Sequence, residues 1–168
     1  LSILDLSPNG SQPMKSSTQR YVLIFNGEIY NHLSIREKIN RDIPSKKWNG
    51  SSDTETIIES MELYGIKKTL ENIEGMFAFA VWDNKEKNLT IARDRFGEKP
   101  LYYGFQNGYF FFASELTAIL SNTRFKKDID LESIGLHQTY GFIPQPKSIL
   151  KDVFKLPPGT FMTFGKED

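Results

Sequence analysis

The chain has no cysteine among its 168 residues, so it forms no disulfide and offers no thiolate to a metal or a substrate. It also lacks an excess of either charge, because 21 basic residues balance 21 acidic ones and remove the long-range attraction to nucleic acid or anionic membranes. No apolar run approaches the ~18 residues that span a bilayer, and no secretion signal is visible. These features predict a cytoplasmic protein that binds neither nucleic acid nor membrane.

What the chain does contain favours a folded domain. Aromatic residues make up 13% of it, with 13 phenylalanines, whereas disordered chains have low hydrophobicity and high net charge. A chain of this length usually forms one domain that buries roughly 70% of its unfolded surface. We therefore predict a single domain over residues 1–168. Because the chain begins at Leu1 inside an apolar stretch, we also expect that something precedes it in a parent protein.

Apolar periodicity and turn residues predict an α+β domain with antiparallel pairing. The run 21–25 is typical of a strand buried on both faces, and Gln106, Asn107 and Gly108 predict a hairpin. Further strands are predicted over 1–6, 76–82, 89–92, 101–105, 109–113 and 160–164. Helices are predicted from residue 31 to near Pro44 and over 54–64, 66–73, 114–120 and 131–139. The apolar residues of the first helix keep only approximate helical spacing: Leu33, Ile35 and Ile39.

Four side chains are expected to cap these helices at their N-termini. Asn31 precedes the first helix, and Ser52 forms a capping box with Glu55 at the second. Ser114 and Asp130 are placed to cap two later helices.

The candidate site residues follow the strand 21–25 and begin the second helix. The Asn26 amide and the Gly27 N–H can converge on one oxygen, as an oxyanion hole requires, although Asn-Gly is also the commonest tight-turn pair. Glu28 and Asp53 suit the first turn of a helix, where an acid complements the helix dipole. Asp53 is also placed to meet a substrate ammonium group. Position alone leaves both interpretations of each residue open.

Other chemistry-bearing residues favour structural roles. His32 and His137 are isolated from acid or sulfur ligands at metal-binding spacing, so neither zinc nor a catalytic triad is expected. No glycine-rich phosphate loop is present, which argues against nucleotide binding by this chain. The charged run 93–100 is either an ion-paired structural loop or a docking surface, and the structural role is favoured.

Several ordered motifs together resemble the amino-terminal glutaminase domain of glutamine-hydrolysing asparagine synthetases, a class II glutamine amidotransferase. The motifs are 1–5 (LSILD), 25–31 (FNGEIYN), 52–55 (SDTE), 75–83 (GMFAFAVWD), 92–103 (ARDRFGEKPLYY) and 113–118 (ASELTA). The resemblance implies an N-terminal nucleophile hydrolase-like αββα sandwich of two antiparallel sheets between helical layers. The chain, as a partial domain over 1–168, would lack the family's N-terminal strands.

The same resemblance implies roles for the candidate residues. Asn26 and Gly27 would form the oxyanion hole, and Asp53 with the backbone around Glu28 would hold the α-amino group of glutamine. The family's nucleophile is an N-terminal cysteine that lies upstream of the residue matching Leu1. Because Leu1 offers no side-chain nucleophile, we expect no glutaminase activity from this chain, although its parent should have it.

The implied partners are glutamine and a C-terminal synthetase domain outside this chain, which would use ATP and Mg to amidate aspartate. No cofactor or metal is expected in the chain itself. Related enzymes amidate sugars or antibiotic precursors, so the acceptor stays open. A competing interpretation is a non-catalytic amidotransferase-like module for binding or assembly. Because missing strands would expose a sheet edge, we also expect self-association, for example as a homodimer.

Overall fold

The structure is a computed structural model that describes residues 4–5 and 7–165. Most of the strand predicted over 1–6 therefore lies outside the described residues. The chain divides into two compact units, Leu1–Ala92 with Phe161–Asp168 and Arg93–Thr160. The strands are β1 (Met14–Lys15), β2 (Tyr21–Ile29), β3 (Gly75–Asp83), β4 (Asn88–Arg93), β5 (Tyr102–Gln106), β6 (Tyr109–Ala113), β7 (Val153–Lys155) and β8 (Phe161–Gly165). The helices are α1 (His32–Asp42), α2 (Asp53–Tyr64), α3 (Ile66–Asn72), α4 (Leu116–Leu120) and α5 (Leu131–Tyr140).

The first unit is a five-stranded sheet with helices on one face. Its strand order is β1-β2-β3-β4-β8, and β2 pairs antiparallel with β3 from Tyr21 opposite Asp83 to Ile29 opposite Gly75. Because side chains alternate along a strand, the odd-numbered residues of both strands share one face. That face joins the helices in the main core, whose members include Leu23, Phe25, Phe79, Val81, Ile35, Ile39, Ile57, Ile58 and Met61.

Strand β2 differs from the prediction in two ways. It continues through Asn26, Gly27 and Glu28 to Ile29, so the tight-turn interpretation of Asn-Gly is wrong. Its burial alternates, with Ile24 40% exposed, so it is not buried on both faces. Pairing with β3 explains both differences, because the ladder holds the segment extended and only one face meets the helices.

Two of the four predicted caps are confirmed. The Ser52 hydroxyl accepts Glu55 N at 3.1 Å, and Asp130 Oδ1 accepts Glu132 N at 3.2 Å. Asn31 makes no side-chain cap, and α4 begins at Leu116 after Glu115, so the prediction for Ser114 is wrong.

The Asn31 side chain connects two turns of the first unit. Its Nδ2 donates to Asn72 O at 2.9 Å, and its Oδ1 accepts Glu74 N at 3.0 Å. These longer-range partners take the groups that a cap would use. In the helix that follows, Leu33 is 62% exposed, whereas Ile35 is buried.

The second unit contains a three-stranded antiparallel sheet in the order β6-β5-β7. The predicted hairpin joins β5 to β6, with Asn107 at φ 54° and Gly108 at φ 77°. Positive φ at both central residues is the condition that an Asn-Gly turn meets. A small core of Ile119, Phe125, Leu150 and Val153 packs beside this sheet.

The run 93–100 is a structural loop, as favoured from the sequence. Arg93 is buried and donates to Lys99 O at 2.6 Å, Gly97 O at 2.6 Å and Leu156 O at 2.8 Å. The Asp94 carboxylate accepts the backbone N–H groups of three following residues, Phe96, Glu98 and Lys99. The loop is therefore organised by charged side chains bound to backbone groups.

Candidate active site

The backbone N–H groups of β2 alternate between its two edges. Phe25 N donates to Gln12 Oε1 at 2.6 Å and Ile29 N to Asp53 Oδ2 at 3.0 Å, whereas Tyr30 N donates to Glu74 O on the β3 side. Odd-numbered N–H groups of β2 thus point away from β3.

Gly27 lies between these two outward-pointing residues. Its N–H therefore points to the same edge of β2. Strand β1 covers that edge only at Val22 and Leu23, so within the described residues β1 does not reach Gly27. Among residues 4–5 and 7–165, no strand pairs with this edge at Gly27, so its N–H is available to a ligand.

Asn26 and Glu28 flank Gly27 and belong to the even-numbered face of β2, opposite the helices. Asn26 pairs with Ala78 and Glu28 with Met76 across the ladder, and both side chains are partly buried. An amide side chain and an N–H donor thus occupy adjacent positions of β2, beyond the segment that pairs with β1.

Only glycine fits at position 27. Its φ is 152°, and a Cβ there would lie 2.1 Å from Met76 O. Gly75 makes the reciprocal approach, with φ 155° and a Cβ position 2.1 Å from Glu28 O. The two glycines let β2 and β3 come this close, which sets the direction of the Gly27 N–H.

Helix α2 brings Asp53 to the end of β2. With Ser52 as its cap, the helix begins at Asp53, whose Oδ1 accepts Thr54 N at 2.8 Å while its Oδ2 accepts Ile29 N. The carboxylate is buried, since Asp53 is only 6% exposed. The structure therefore brings all four predicted site residues to one end of β2.

The loop before α2 is held by residues that the sequence analysis did not assign. Arg36 donates to Gly50 O at 2.8 Å and to Ser52 O at 3.1 Å, and its guanidinium lies 4.0 Å from the centre of the Trp48 ring. The Glu55 carboxylate, predicted to reach back to Ser52, instead accepts Gly50 N at 2.9 Å. No local sequence signal marks Arg36 for this contact, which crosses from α1 to α2.

The described part of the chain has neither a metal-binding cluster nor a helix suited to crossing a membrane. Across residues 4–5 and 7–165, no group of three or more His, Asp or Glu side chains is placed to hold a metal ion. Over the same residues, no helix has both the length and the apolar character that crossing a bilayer demands.

Two antiparallel sheets with helices, and an amide–glycine pair at a strand edge, are consistent with an N-terminal nucleophile hydrolase-like fold. The α+β, N-terminal nucleophile hydrolase-like fold class expected from the sequence is thereby supported. The chain belongs to the glutamine amidotransferase domain family, whose family model matches residues 1–168.

Curated relatives narrow the family to one branch. The chain is 36% identical over 163 residues to asparagine synthetase [glutamine-hydrolyzing] 1 of Bacillus subtilis, covering 97% of this chain and 25% of the relative. It is 35% identical over 172 residues to putative asparagine synthetase [glutamine-hydrolyzing] 2 of Methanocaldococcus jannaschii, covering 93% and 32%. The chain thus spans about a quarter to a third of the length of these relatives, and they confirm the predicted resemblance.

Solved structures show the same fold family. The glutamine phosphoribosylpyrophosphate amidotransferase from B. subtilis complexed with ADP and GMP aligns with a TM-score of 0.56 at 25% identity, over 64% of this chain and 25% of that one. A structure described as the allosteric regulatory enzyme of purine biosynthesis aligns with a TM-score of 0.57, also at 25% identity, over 64% and 24%.

Proposed function

We propose that this chain is the glutamine-binding part of a glutaminase domain whose parent uses the released ammonia for ATP-dependent amidation of aspartate. The observation that carries the proposal is the hydrogen bond between Asp53 and Ile29, which fixes a buried carboxylate beside the Gly27 edge of β2. Membership of the glutamine amidotransferase family and the asparagine synthetase relatives support it. ATP and Mg act in a synthetase domain outside this chain.

The chemistry follows from what amide hydrolysis requires. Attack on the side-chain carbonyl of glutamine places negative charge on its oxygen, and N–H donors aimed at that position stabilise the transition state. The Asn26 amide and the Gly27 N–H supply these donors. Asp53 and the backbone around Glu28 bind the α-ammonium group, which orients the side-chain amide towards Asn26 and Gly27.

In this proposal the parent protein supplies the nucleophile, which is an N-terminal cysteine. We expect the isolated chain to release no ammonia from glutamine, because none of its 168 residues is a cysteine. An ammonia-release assay with rigorously purified chain measures this directly. Turnover that copurifies with the chain through successive columns contradicts the assignment.

In the parent protein, Asn26→Ala should lower kcat for glutamine hydrolysis by about 10²–10³-fold, the usual effect of removing one oxyanion-hole donor. Synthesis supplied with free ammonia bypasses this step and serves as the control. It should keep its rate in the same variant. An equal loss in both assays would show that Asn26 acts through folding.

A second candidate function is a non-catalytic amidotransferase-like module that binds or assembles with a ligase subunit. The parent sequence upstream of Leu1 separates the two. A Met-Cys-Gly start several tens of residues earlier supports the enzyme, and an unrelated sequence there supports the module.

The cytoplasmic location and the homodimer stay predictions, and light scattering at high concentration tests the dimer.

A further inference from the structure

His32 begins α1 and has an unusual ring environment. The ring is partly buried, and its Nδ1 is shielded from solvent with no hydrogen-bond partner within residues 4–5 and 7–165. Buried polar atoms nearly always have a partner, so an unpaired one calls for an explanation. A neutral imidazole protonated at Nε2 leaves Nδ1 as an unused acceptor, whereas an imidazolium would carry a proton there and need an acceptor.

The charged groups that act on this ring come from the three elements around it. Asp53 at the start of α2 and Glu28 in β2 both favour its protonated form, and Arg36, one turn further along α1, opposes it. Arg36 is held by Gly50 O and Ser52 O, and Asp53 is held by Ile29 N. With these neighbours held in place, protonation of His32 adds a positive charge near Asp53.

We propose that His32 is a positioning residue that controls access of the glutamine α-ammonium group to Asp53. The neutral imidazole leaves the Asp53 carboxylate to the ligand. The imidazolium is attracted to the same negative charge and competes with the ligand for it. This inference rests on the proposed function, because it assigns the ammonium group of glutamine to Asp53.

The direction of the pH effect follows from burial. Burial lowers the pKa of His32 below its ordinary value of 6.5, although Asp53 and Glu28 act in the opposite direction. The ring is therefore neutral at neutral pH and takes up a proton only as the solution becomes more acidic. Below the titration midpoint of His32, glutamine affinity should fall by about tenfold per pH unit if the imidazolium and the α-ammonium group exclude each other. By linkage, bound glutamine must weaken proton binding to His32 by the factor by which protonation weakens glutamine binding, so the His32 midpoint moves to lower pH.

The experiment is an NMR titration of the two histidine rings of the whole chain. His137 is exposed and serves as the internal reference. Saturating glutamine should move the His32 midpoint to lower pH and leave His137 unchanged. In Asp53→Asn without glutamine, the His32 midpoint should already lie lower than in the wild type. In His32→Gln, glutamine should bind with nearly constant affinity between about pH 5 and 8.

The outcomes separate this inference from the proposed function. Glutamine-dependent shifts of the Gly27 amide, with an unmoved His32 midpoint, overturn the role of His32 and leave the proposed function standing. An unchanged midpoint in Asp53→Asn also overturns it, and this measurement needs no ligand. A chain whose amides do not respond to glutamine at pH 7 or above contradicts both.

Discussion

Gly27→Ala should destabilise the chain by about 3 kcal/mol or more. Alanine at φ 152° occupies a backbone region that essentially only glycine visits, and its Cβ would lie 2.1 Å from Met76 O. Backbone atoms cannot rotate away as a flexible side chain can, so β2 and β3 must separate locally. Urea titration followed by circular dichroism measures the loss as a lower midpoint.

Gly135→Ala is the matched control for this substitution. A Cβ at Gly135 meets no atom within 4 Å beyond its own helix and its chain neighbours, and its φ is not in the positive region. Alanine in a helix interior is preferred over glycine by about 1 kcal/mol, so this variant should gain stability. If Gly27→Ala keeps the wild-type midpoint, the close approach of β2 and β3 is wrong, whatever the result for Gly135→Ala.

Arg93→Met should lower stability by about 3 kcal/mol and the unfolding temperature by roughly 6–12 °C. Methionine keeps much of the length of the side chain but donates no hydrogen bond. The three carbonyls that now accept from the guanidinium belong to Gly97, Lys99 and Leu156 and would lose their donor. Differential scanning calorimetry measures the change.

Two further variants test why Arg93 has this effect. Arg93→Lys keeps the charge, but a single ammonium group cannot reproduce the spread of the guanidinium, so it should recover only part of the loss. Lys127 is exposed, and Lys127→Met should change stability by no more than about 0.5 kcal/mol. Equal effects of methionine at positions 93 and 127 would show that the three carbonyls do not depend on Arg93.

Local sequence signals predict a turn or a cap well where residues within a few positions determine its conformation. The hairpin at Asn107 and the caps at Ser52 and Asp130 depend on residues within a few positions, and the structure confirms them. The short strands β1 and β7 were missed, because two or three residues carry no readable periodicity.

The site depends on contacts that sequence position does not reveal. The requirement for glycine at 27 comes from Met76 O, on a strand nearly fifty positions later. The motif around Asp53 predicts a site residue, but the bond from Ile29 N to Asp53 forms only when α2 packs against β2. Asn31 is the opposite case. Its position predicts a local helix cap, but its side chain binds the distant groups Asn72 O and Glu74 N instead.

Because Arg36 stacks on Trp48, the fluorescence of Trp48 reports on the position of Arg36. Trp48 and Trp82 are the chain's two tryptophans, so Trp82→Phe leaves a single indole whose emission depends on the cation above it. Since Arg36 also holds the loop that leads into Asp53, fluorescence of Trp48 can follow ligand-induced movement of that loop in real time.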